Sequence, residues 1–328
     1  MSHSQQFPSF YVAEKVGDLY KSRDEQITAV AAEYARKNGI KPAHEDQLKI
    51  AFFGIDIQID FALPLGSLFV PGAVEDSTRT IEFIYRNLSK LTSLHFSLDT
   101  HKIFQIFHPI FWIDNETGTY PAPFTLITSK LIRSGRFTPA LFPQECIEYC
   151  EELEKTGRYV LCIWPFHTLL GSVGHAMVPS VFEAATFHAV ARHSQTHFET
   201  KGIHPLTENY SVLEPEVKKV RGRVVGQFNT KFFKTLMEHD RVYVAGQASS
   251  HCAKTTIESL LQKIKDTDSS LVEKVYILED CMSPVPALLD ENGGVLVDFP
   301  AIAQSALDDF RAAGMNVVKS TDVIDLVA

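Results

Sequence analysis

Short apolar runs alternate with longer amphipathic stretches over most of this chain of 328 residues. Six runs have the length and the β-branched or aromatic content of buried strands, and they lie near residues 49–57, 92–98, 196–201, 241–246, 274–279 and 315–319. Patterns with helical spacing lie between them, near residues 74–91, 179–193, 229–238, 252–265 and 300–313. This alternation predicts an α/β fold with three α/β/α layers, in which helices cover both faces of a mainly parallel sheet of about six strands.

Two stretches lie outside this alternation. Residues 1–46 form a polar N-terminal extension, in which residues 24–39 have the acidic start and the closing glycine of a helix. We expect residues 47–328 to form the main domain, interrupted by an insertion at about 109–159. The insertion is rich in aromatic residues and includes a predicted helix at 144–155. We therefore expect it to be ordered, and to act as a lid or a subunit contact.

Charge and cysteine content exclude several functional classes. The net charge is −9, and without a basic stripe the chain is not expected to bind nucleic acid or a membrane surface. No apolar stretch is long enough to span a bilayer, and the N-terminus lacks the features of a signal peptide. Cys146 and Cys150 share one predicted helix face, which is poor geometry for a disulfide. We expect core thiols in a reducing, cytoplasmic setting.

Cys252 is the strongest candidate for a nucleophile. It opens the helix predicted near 252–265, directly after a predicted strand and a turn that contains Gly246. The N–H groups in the first turn of a helix carry partial positive charge, so we expect this position to lower the thiol pKa and to favour the thiolate. A buried thiol that only fills the core is the alternative interpretation.

Charged residues end two other predicted strands. Asp56 ends the first strand and Lys201 ends the strand near 196–201. Sites in open α/β sheets lie beyond the carboxyl ends of the strands, so both residues are placed to meet Cys252. A thiolate that attacks a carbonyl carbon needs a proton acceptor and a positive group nearby. Asp56 is the candidate base, and Lys201 is the candidate cation that stabilises the anionic groups.

A second group of residues has the composition of a metal site. Asp99 and His101 lie two positions apart at the end of a predicted strand, so both side chains can reach one ion. His108 follows after a short loop, and His167 lies on a separate loop, in Trp164-Pro-Phe-His167. This mixture of oxygen and nitrogen ligands fits zinc, and iron or manganese also fits.

In their order along the chain, these residues resemble the nicotinamidase and isochorismatase superfamily of cysteine hydrolases. The resemblance rests on Asp56-x-Gln58-x-Asp60-Phe61, Lys201-Gly202, and Gly246 and Ala248 ahead of Cys252. The four candidate metal ligands resemble those of the metal-binding nicotinamidase branch. Isochorismatase-like members generally lack the full set, so the resemblance favours the nicotinamidase branch.

The family resemblance implies roles for individual residues. Asp56, Lys201 and Cys252 correspond to the catalytic triad, and the backbone amides of Ala248 and Cys252 correspond to the oxyanion hole. A cis peptide bond is expected between Gln247 and Ala248.

The resemblance also implies a substrate class. Phe61 and Trp164 correspond to aromatic residues that flank the substrate ring, although ordinary core packing would explain both equally well. The implied activity is that of a metal-containing cysteine amidohydrolase that cleaves a small carboxamide through a thioester, with conversion of nicotinamide to nicotinate and ammonia as the leading reaction. Another small amide, such as a ureido or carbamoyl compound, is the main alternative, followed by an isochorismatase-type hydrolase and a catalytically silent binding protein. We expect a homo-oligomer. A nucleotide-binding Rossmann domain is disfavoured because no Gly-x-Gly-x-x-Gly follows the first strand.

Overall fold

The computed structural model describes residues 7–157 and 159–325. The α-helices of this part of the chain are α1 Asp24–Asn38, α2 Ile59–Ala62, α3 Ala73–Arg86, α4 Ser129–Arg133, α5 Pro143–Thr156, α6 Pro179–Arg192, α7 Thr230–Met237, α8 Cys252–Thr267 and α9 Phe299–Ala312. The strands are β1 Ile50–Ile55, β2 Ser93–Asp99, β3 Trp112–Asp114, β4 Leu126–Ile127, β5 Phe137–Pro139, β6 Leu161–Cys162, β7 His197–Lys201, β8 Lys219–Val220, β9 Arg223–Val224, β10 Arg241–Gly246, β11 Val275–Leu278, β12 Leu288–Leu289, β13 Val295–Val297 and β14 Asn316–Val318.

One sheet organises the fold. It has six strands in the order β14-β11-β10-β1-β2-β7, and every neighbouring pair is parallel. All six strands predicted from the sequence are confirmed, and so are the five helices between them. The helix predicted near 74–91 is shorter than expected, because α3 ends at Arg86 and Asn87 caps it.

Alternation along β1 explains the two cores. Successive side chains of a strand point to opposite faces of the sheet. Phe53 accordingly packs in a cluster with Phe232 of α7 and other residues from α7 and α8, whereas Phe52 packs in a second cluster with residues from α3 and α6. Because both faces are buried, β1 is apolar along its whole length. The predicted α/β/α layering is confirmed.

The N-terminal extension packs on the domain itself. Ile27 and Ala31 of α1 are buried in the cluster that includes α6, and α1 contacts α6 along its length. Arg23 Nη2 lies 2.6 Å from Glu183 Oε2, which adds an ion pair to the apolar contact. Gly39 ends α1 with a φ of 61°, as the sequence predicts. The division of the chain at residue 46 stays a prediction.

The insertion is ordered and carries its own secondary structure. Its predicted helix is present as α5. Its strands β3 and β5 pair with each other, and its strand β4 pairs with β6, which lies just after the insertion. Phe111, Trp112 and Tyr149 are fully buried in the same cluster as Phe53. The insertion therefore extends one of the two cores of the domain.

The cysteines agree with the sequence prediction. All five are free and buried, including Cys146 and Cys150 on α5. Among the described helices, none combines the length and the apolar character needed to cross a membrane.

Candidate active site

The carboxyl ends of four strands bring the predicted catalytic residues together. Asp56 directly follows β1, Lys201 ends β7, and Cys252 follows the turn after β10. Asp99 ends β2 and is paired in register with Lys201. Residues separated by almost 200 positions in the sequence thus meet because their strands are parallel and end at one edge of the sheet.

Lys201 lies at the centre of this group. Its Nζ is 3.0 Å from Asp56 Oδ2 and 2.9 Å from Asp99 Oδ1. The same atom is 3.5 Å from Cys252 Sγ and donates to the backbone oxygen of Asn209 at 2.8 Å. Because Lys201 is buried, its charge is weakly screened by solvent and acts on both acids and on the thiol.

Asp56 is held in place by β2. Ser97 Oγ donates to Asp56 Oδ1 at 2.6 Å, and the Asp56 amide donates to the backbone oxygen of Ser97 at 3.2 Å. Asp56 has a φ of 48°, a left-handed conformation that Asp tolerates better than most residues. The sequence did not single out Ser97, although it fixes the orientation of the candidate base.

The expected depression of the thiol pKa is wrong for this structure. Burial raises the pKa of Cys252 well above its ordinary value, and the nearby Asp56 and Asp99 add to the rise while Lys201 opposes it. Burial also raises the pKa of Asp56, again against the effect of Lys201. Loss of hydration and two neighbouring carboxylates thus favour the protonated thiol, opposite to the effect expected from the start of α8.

The turn before Cys252 has the geometry that the resemblance implies. The peptide bond between Gln247 and Ala248 is cis. Within residues 7–157 and 159–325, the amides of Ala248 and Cys252 donate to no other group. Gly246 has a φ of 121°, and a Cβ there would collide with the backbone of Ile55. The turn therefore requires glycine and leaves two N–H groups free near the sulfur.

Three of the four predicted metal ligands form a compact cluster. Asp99, His101 and His167 are buried, and their candidate ligand atoms all lie within 4.8 Å of one another. His101 Nε2 is 2.9 Å from Asp99 Oδ2, and His167 Nε2 is 3.7 Å from the same oxygen. His101 Nε2 nevertheless lacks a well-aligned hydrogen bond to any described residue. Such close but unaligned polar atoms are the arrangement expected of ligands that share an ion.

Backbone carbonyls orient two of the histidines. His101 Nδ1 lies 3.0 Å from the oxygen of Gly202, and His167 Nδ1 lies 2.7 Å from the oxygen of Pro165. A carbonyl can only accept, so Nδ1 carries a proton in each ring, and Nε2 is the nitrogen that faces the cluster. Metal-binding histidines are commonly oriented in this way.

His108 lies beside the cluster and outside it. Its Nδ1 is 3.0 Å from the oxygen of Ile103, and its buried Nε2 has no partner among the described residues. Its ring centroid is 5.9 Å from that of His101 and 6.0 Å from that of His167. The free Nε2 of His108 fits a fourth ligand, but the ring lies apart from the other three residues. Its role as a ligand stays a prediction.

Two motif residues build the metal cluster without joining it. Gln58 is bonded to the backbone of Asp99 and, through Nε2, to the oxygen of His175 at 2.8 Å. Asp60 Oδ2 accepts from the amide of Thr168 at 2.7 Å, and the oxygen of Thr168 accepts from the amide of His101 at 3.1 Å. The segment after β1 therefore positions both loops that carry the candidate ligands.

Gly202 is required by the space next to the cluster. Its φ is 83°, and a Cβ there would lie 2.7 Å from His101 Cε1 and 2.8 Å from Asp99 Oδ1. Any larger residue after Lys201 would displace the candidate ligands. The Lys-Gly pair in the sequence thus supplies one residue to the candidate catalytic group and leaves space for the candidate metal cluster with the other.

Comparison with solved structures identifies the fold. The yeast nicotinamidase bound to the inhibitor nicotinaldehyde is 19% identical, with a TM-score of 0.52, over 82% of this chain and 99% of that chain. The nicotinamidase/pyrazinamidase of Acinetobacter baumannii is 18% identical, with a TM-score of 0.50, over 85% of this chain and all of its own, 100%. This chain has the nicotinamidase fold. No protein-family model and no curated protein sequence matches it.

A cavity lies over Cys252 in this nicotinamidase fold. Its volume is about 40 Å³. It is lined by Phe61, Leu68, Val70, Asp99, Trp164, His167, Glu208, Tyr210, Gln247, Ala248, His251, Cys252 and Val285. Both predicted ring-binding residues thus reach the site, and the ring of Phe61 lies 5.5 Å from that of His167. Their role toward a substrate stays a prediction.

Glu208 is a buried acid beside the cavity over Cys252, and the sequence did not indicate it. It lines the cavity, and burial raises its pKa to about 7, with His101 and Lys201 opposing the rise and Asp99 adding to it. The Glu208 amide donates to Tyr149 Oη of the insertion at 3.1 Å. The insertion thereby fixes the backbone that presents this acid.

Proposed function

We propose that this protein is a metal-containing cysteine amidohydrolase that cleaves a small carboxamide, with nicotinamide as the first substrate to test. The observation that carries the proposal is the position of Lys201, whose Nζ contacts both Asp56 and Cys252 at the edge of the metal cluster. A purely structural lysine would not be expected to be buried against two acids and a thiol.

The first chemical step uses the buried thiol. As Cys252 Sγ attacks the carbonyl carbon, its proton passes to Asp56, and an S–C bond forms while the carbonyl π bond opens to an oxyanion. The free amides of Ala248 and Cys252 are placed to donate to that oxyanion. The positive charge of Lys201 stabilises Asp56 before the step and the anionic intermediate after it.

The second step releases ammonia and regenerates the thiol. Asp56 returns its proton to the leaving nitrogen as the C–N bond breaks, which gives ammonia and a thioester on Cys252. Water then attacks the thioester carbon as Asp56 accepts one of its protons; the C–S bond breaks, and Asp56 returns the proton to the departing sulfur. The products are the carboxylic acid and the free thiol, and each atom of the amide and of one water molecule is accounted for.

Asp99, His101 and His167 would hold a divalent metal ion, with His108 adjacent. The fit rests on the convergent Nε2 atoms and on the carbonyls that orient them. When bound, the ion supplies a Lewis acid that can fix a ring nitrogen or a water molecule next to the reacting carbon. Zinc suits the ligand set best, and iron or manganese would also suit it.

The test is ammonia release from nicotinamide and other small amides, with metal content measured on the same samples. Cys252→Ala should abolish turnover and keep the metal. Cys281→Ala, a buried thiol of the core, is the matched control and should keep both. Metal-loaded, folded protein that releases no ammonia from any amide would contradict the proposal and would favour a binding protein built on this fold.

A further inference from the structure

The cavity over Cys252 is small. At about 40 Å³, it has room for roughly three water-sized groups. A carboxamide fits this space, but a carboxamide with a ring or a chain attached does not fit in it entirely. The rest of such a substrate must lie in another space.

A larger space adjoins this cavity, and we call it the outer chamber. Its volume is about 270 Å³. The insertion lines one part of it with Phe124, Leu126 and Tyr159, next to Cys162 of β6. The C-terminal region lines another part with Leu288, Val297, Phe299 and Ile302. These two regions are far apart in the sequence, so the chamber exists only in the folded chain.

A wall of three side chains separates the two spaces. Trp164, Tyr210 and His251 line both the cavity over Cys252 and the outer chamber. Their rings are in contact, with centroids of Trp164 and Tyr210 at 5.5 Å and 5.4 Å from that of His251. The chamber is therefore one side chain away from the nucleophile.

The lining of the outer chamber selects for apolar groups. Its described lining residues are mostly hydrocarbon or aromatic and include no lysine or arginine. Glu154 also lines it, but both carboxylate oxygens already accept hydrogen bonds from Ser129, at 2.7 and 2.8 Å. The described lining offers a carboxylic acid no lysine or arginine partner, whereas a hydrocarbon group placed there would exchange contact with water for contact with apolar side chains.

We propose that the outer chamber holds an apolar acyl substituent of the amide that Cys252 cleaves. This inference rests on the proposed amidohydrolase function and names its substrate class, R–CO–NH₂ with R a hydrocarbon chain or ring. The carboxamide occupies the cavity over Cys252, and R reaches the outer chamber after rotation of a wall side chain, a change that commonly accompanies binding. Hydrolysis consumes one water and releases ammonia and R–COOH.

The test compares 4-phenylbutanamide with acetamide as substrates. Ile302→Trp fills the chamber from α9, and Ser305→Trp places the same side chain on the exposed face of that helix. Wild type should prefer 4-phenylbutanamide in kcat/KM. Ile302→Trp should lower that preference about tenfold or more through the larger substrate, and Ser305→Trp should preserve it. Equal effects of Ile302→Trp on both amides, or no preference in wild type, would overturn the inference.

Binding separates this inference from the proposed function. In a Cys252→Ala background, 4-phenylbutanamide should raise the melting temperature, and Ile302→Trp should remove that rise. If wild type cleaves no amide but this binding pattern holds, the proposed function fails, and the outer chamber remains only as a binding site for an apolar group. If small amides are cleaved and 4-phenylbutanamide neither binds nor reacts, only the chamber assignment fails. Leu288→Trp, which fills the chamber from the β12–β13 hairpin, replaces Ile302→Trp if that variant does not fold.

Discussion

The side chain of Gln58 binds the backbone of Asp99 through both of its polar atoms. Oε1 accepts from the Asp99 amide at 2.7 Å, and Nε2 donates to the Asp99 oxygen at 2.9 Å. The end of β1 therefore fixes the end of β2, and Asp99 presents one carboxylate oxygen to Lys201 and the other to His101.

Gln58→Leu is expected to weaken metal binding about 10-fold to 100-fold, as is typical when a residue that supports a ligand is lost. The reason is that Asp99 loses both backbone bonds while every candidate ligand remains. Metal affinity measured by competition with a chromogenic chelator tests this. Gln47→Leu, at an exposed position before β1, is the control. Equal affinities for the two variants would argue against a positioning role.

The metal cluster predicts an order among the histidines. His167→Ala should reduce metal affinity more than His108→Ala, because His167 belongs to the three-residue cluster and His108 lies outside it. Titration of both variants with zinc measures the difference, and His44→Ala, at an exposed position, serves as the control. A larger loss in His108→Ala would show that a four-ligand site forms when the ion binds.

Lys201→Met should destabilise the protein by about 3–5 kcal/mol, the usual cost of removing one partner from a buried ion pair. Asp56 and Asp99 would then remain buried without their shared cation. The free energy of unfolding from urea titration is the measurement, made on metal-loaded protein. The exposed Lys219→Met should change it by less than about 0.5 kcal/mol. A Lys201→Met variant as stable as wild type would refute the idea that Lys201 stabilises the buried carboxylates of Asp56 and Asp99.

The pH dependence of alkylation reports on the resting thiol. Only the thiolate reacts with iodoacetamide, and the pKa of Cys252 is raised by burial. Below that pKa the thiol stays protonated, so in metal-free protein the rate should be low at neutral pH and keep increasing beyond pH ~8.5, the usual pKa of a free cysteine. Mass spectrometry of the Cys252 peptide after timed labelling provides the rate. An alkylation rate that reaches a plateau near neutral pH would mean that the effect of Lys201 on the thiol pKa exceeds that of burial.

The sequence was sufficient to predict the fold and the position of most candidate site residues, because the ends of strands and the starts of helices can be read from local patterns. Asp56 and Lys201 end strands, and Cys252 begins a helix, so parallel pairing alone predicts that they meet. The direction of the Cys252 pKa shift could not be predicted, because it depends on how many acids surround the thiol and on how deeply it is buried.

Glu208 and the outer chamber depend on tertiary packing. Glu208 lies in an irregular segment with no period to mark it, and only burial beside His101 distinguishes it from a surface acid. The chamber joins Phe124 and Ile302, which no local pattern connects. Features of this kind become visible only when distant segments are placed in contact.

Lys201 comes from a strand at the edge of the sheet. In the part of the chain that the structure describes, β7 is an edge strand that pairs with β2 alone, and Phe198 is 42% exposed. Edge elements open at lower free energy than central strands such as β1 and β10, which precede Asp56 and Cys252. Partial opening of this edge would remove the lysine from the two acids while the remaining strands stay folded. Mild denaturant should therefore abolish the proposed amide hydrolysis at a lower concentration than the one that unfolds the whole domain.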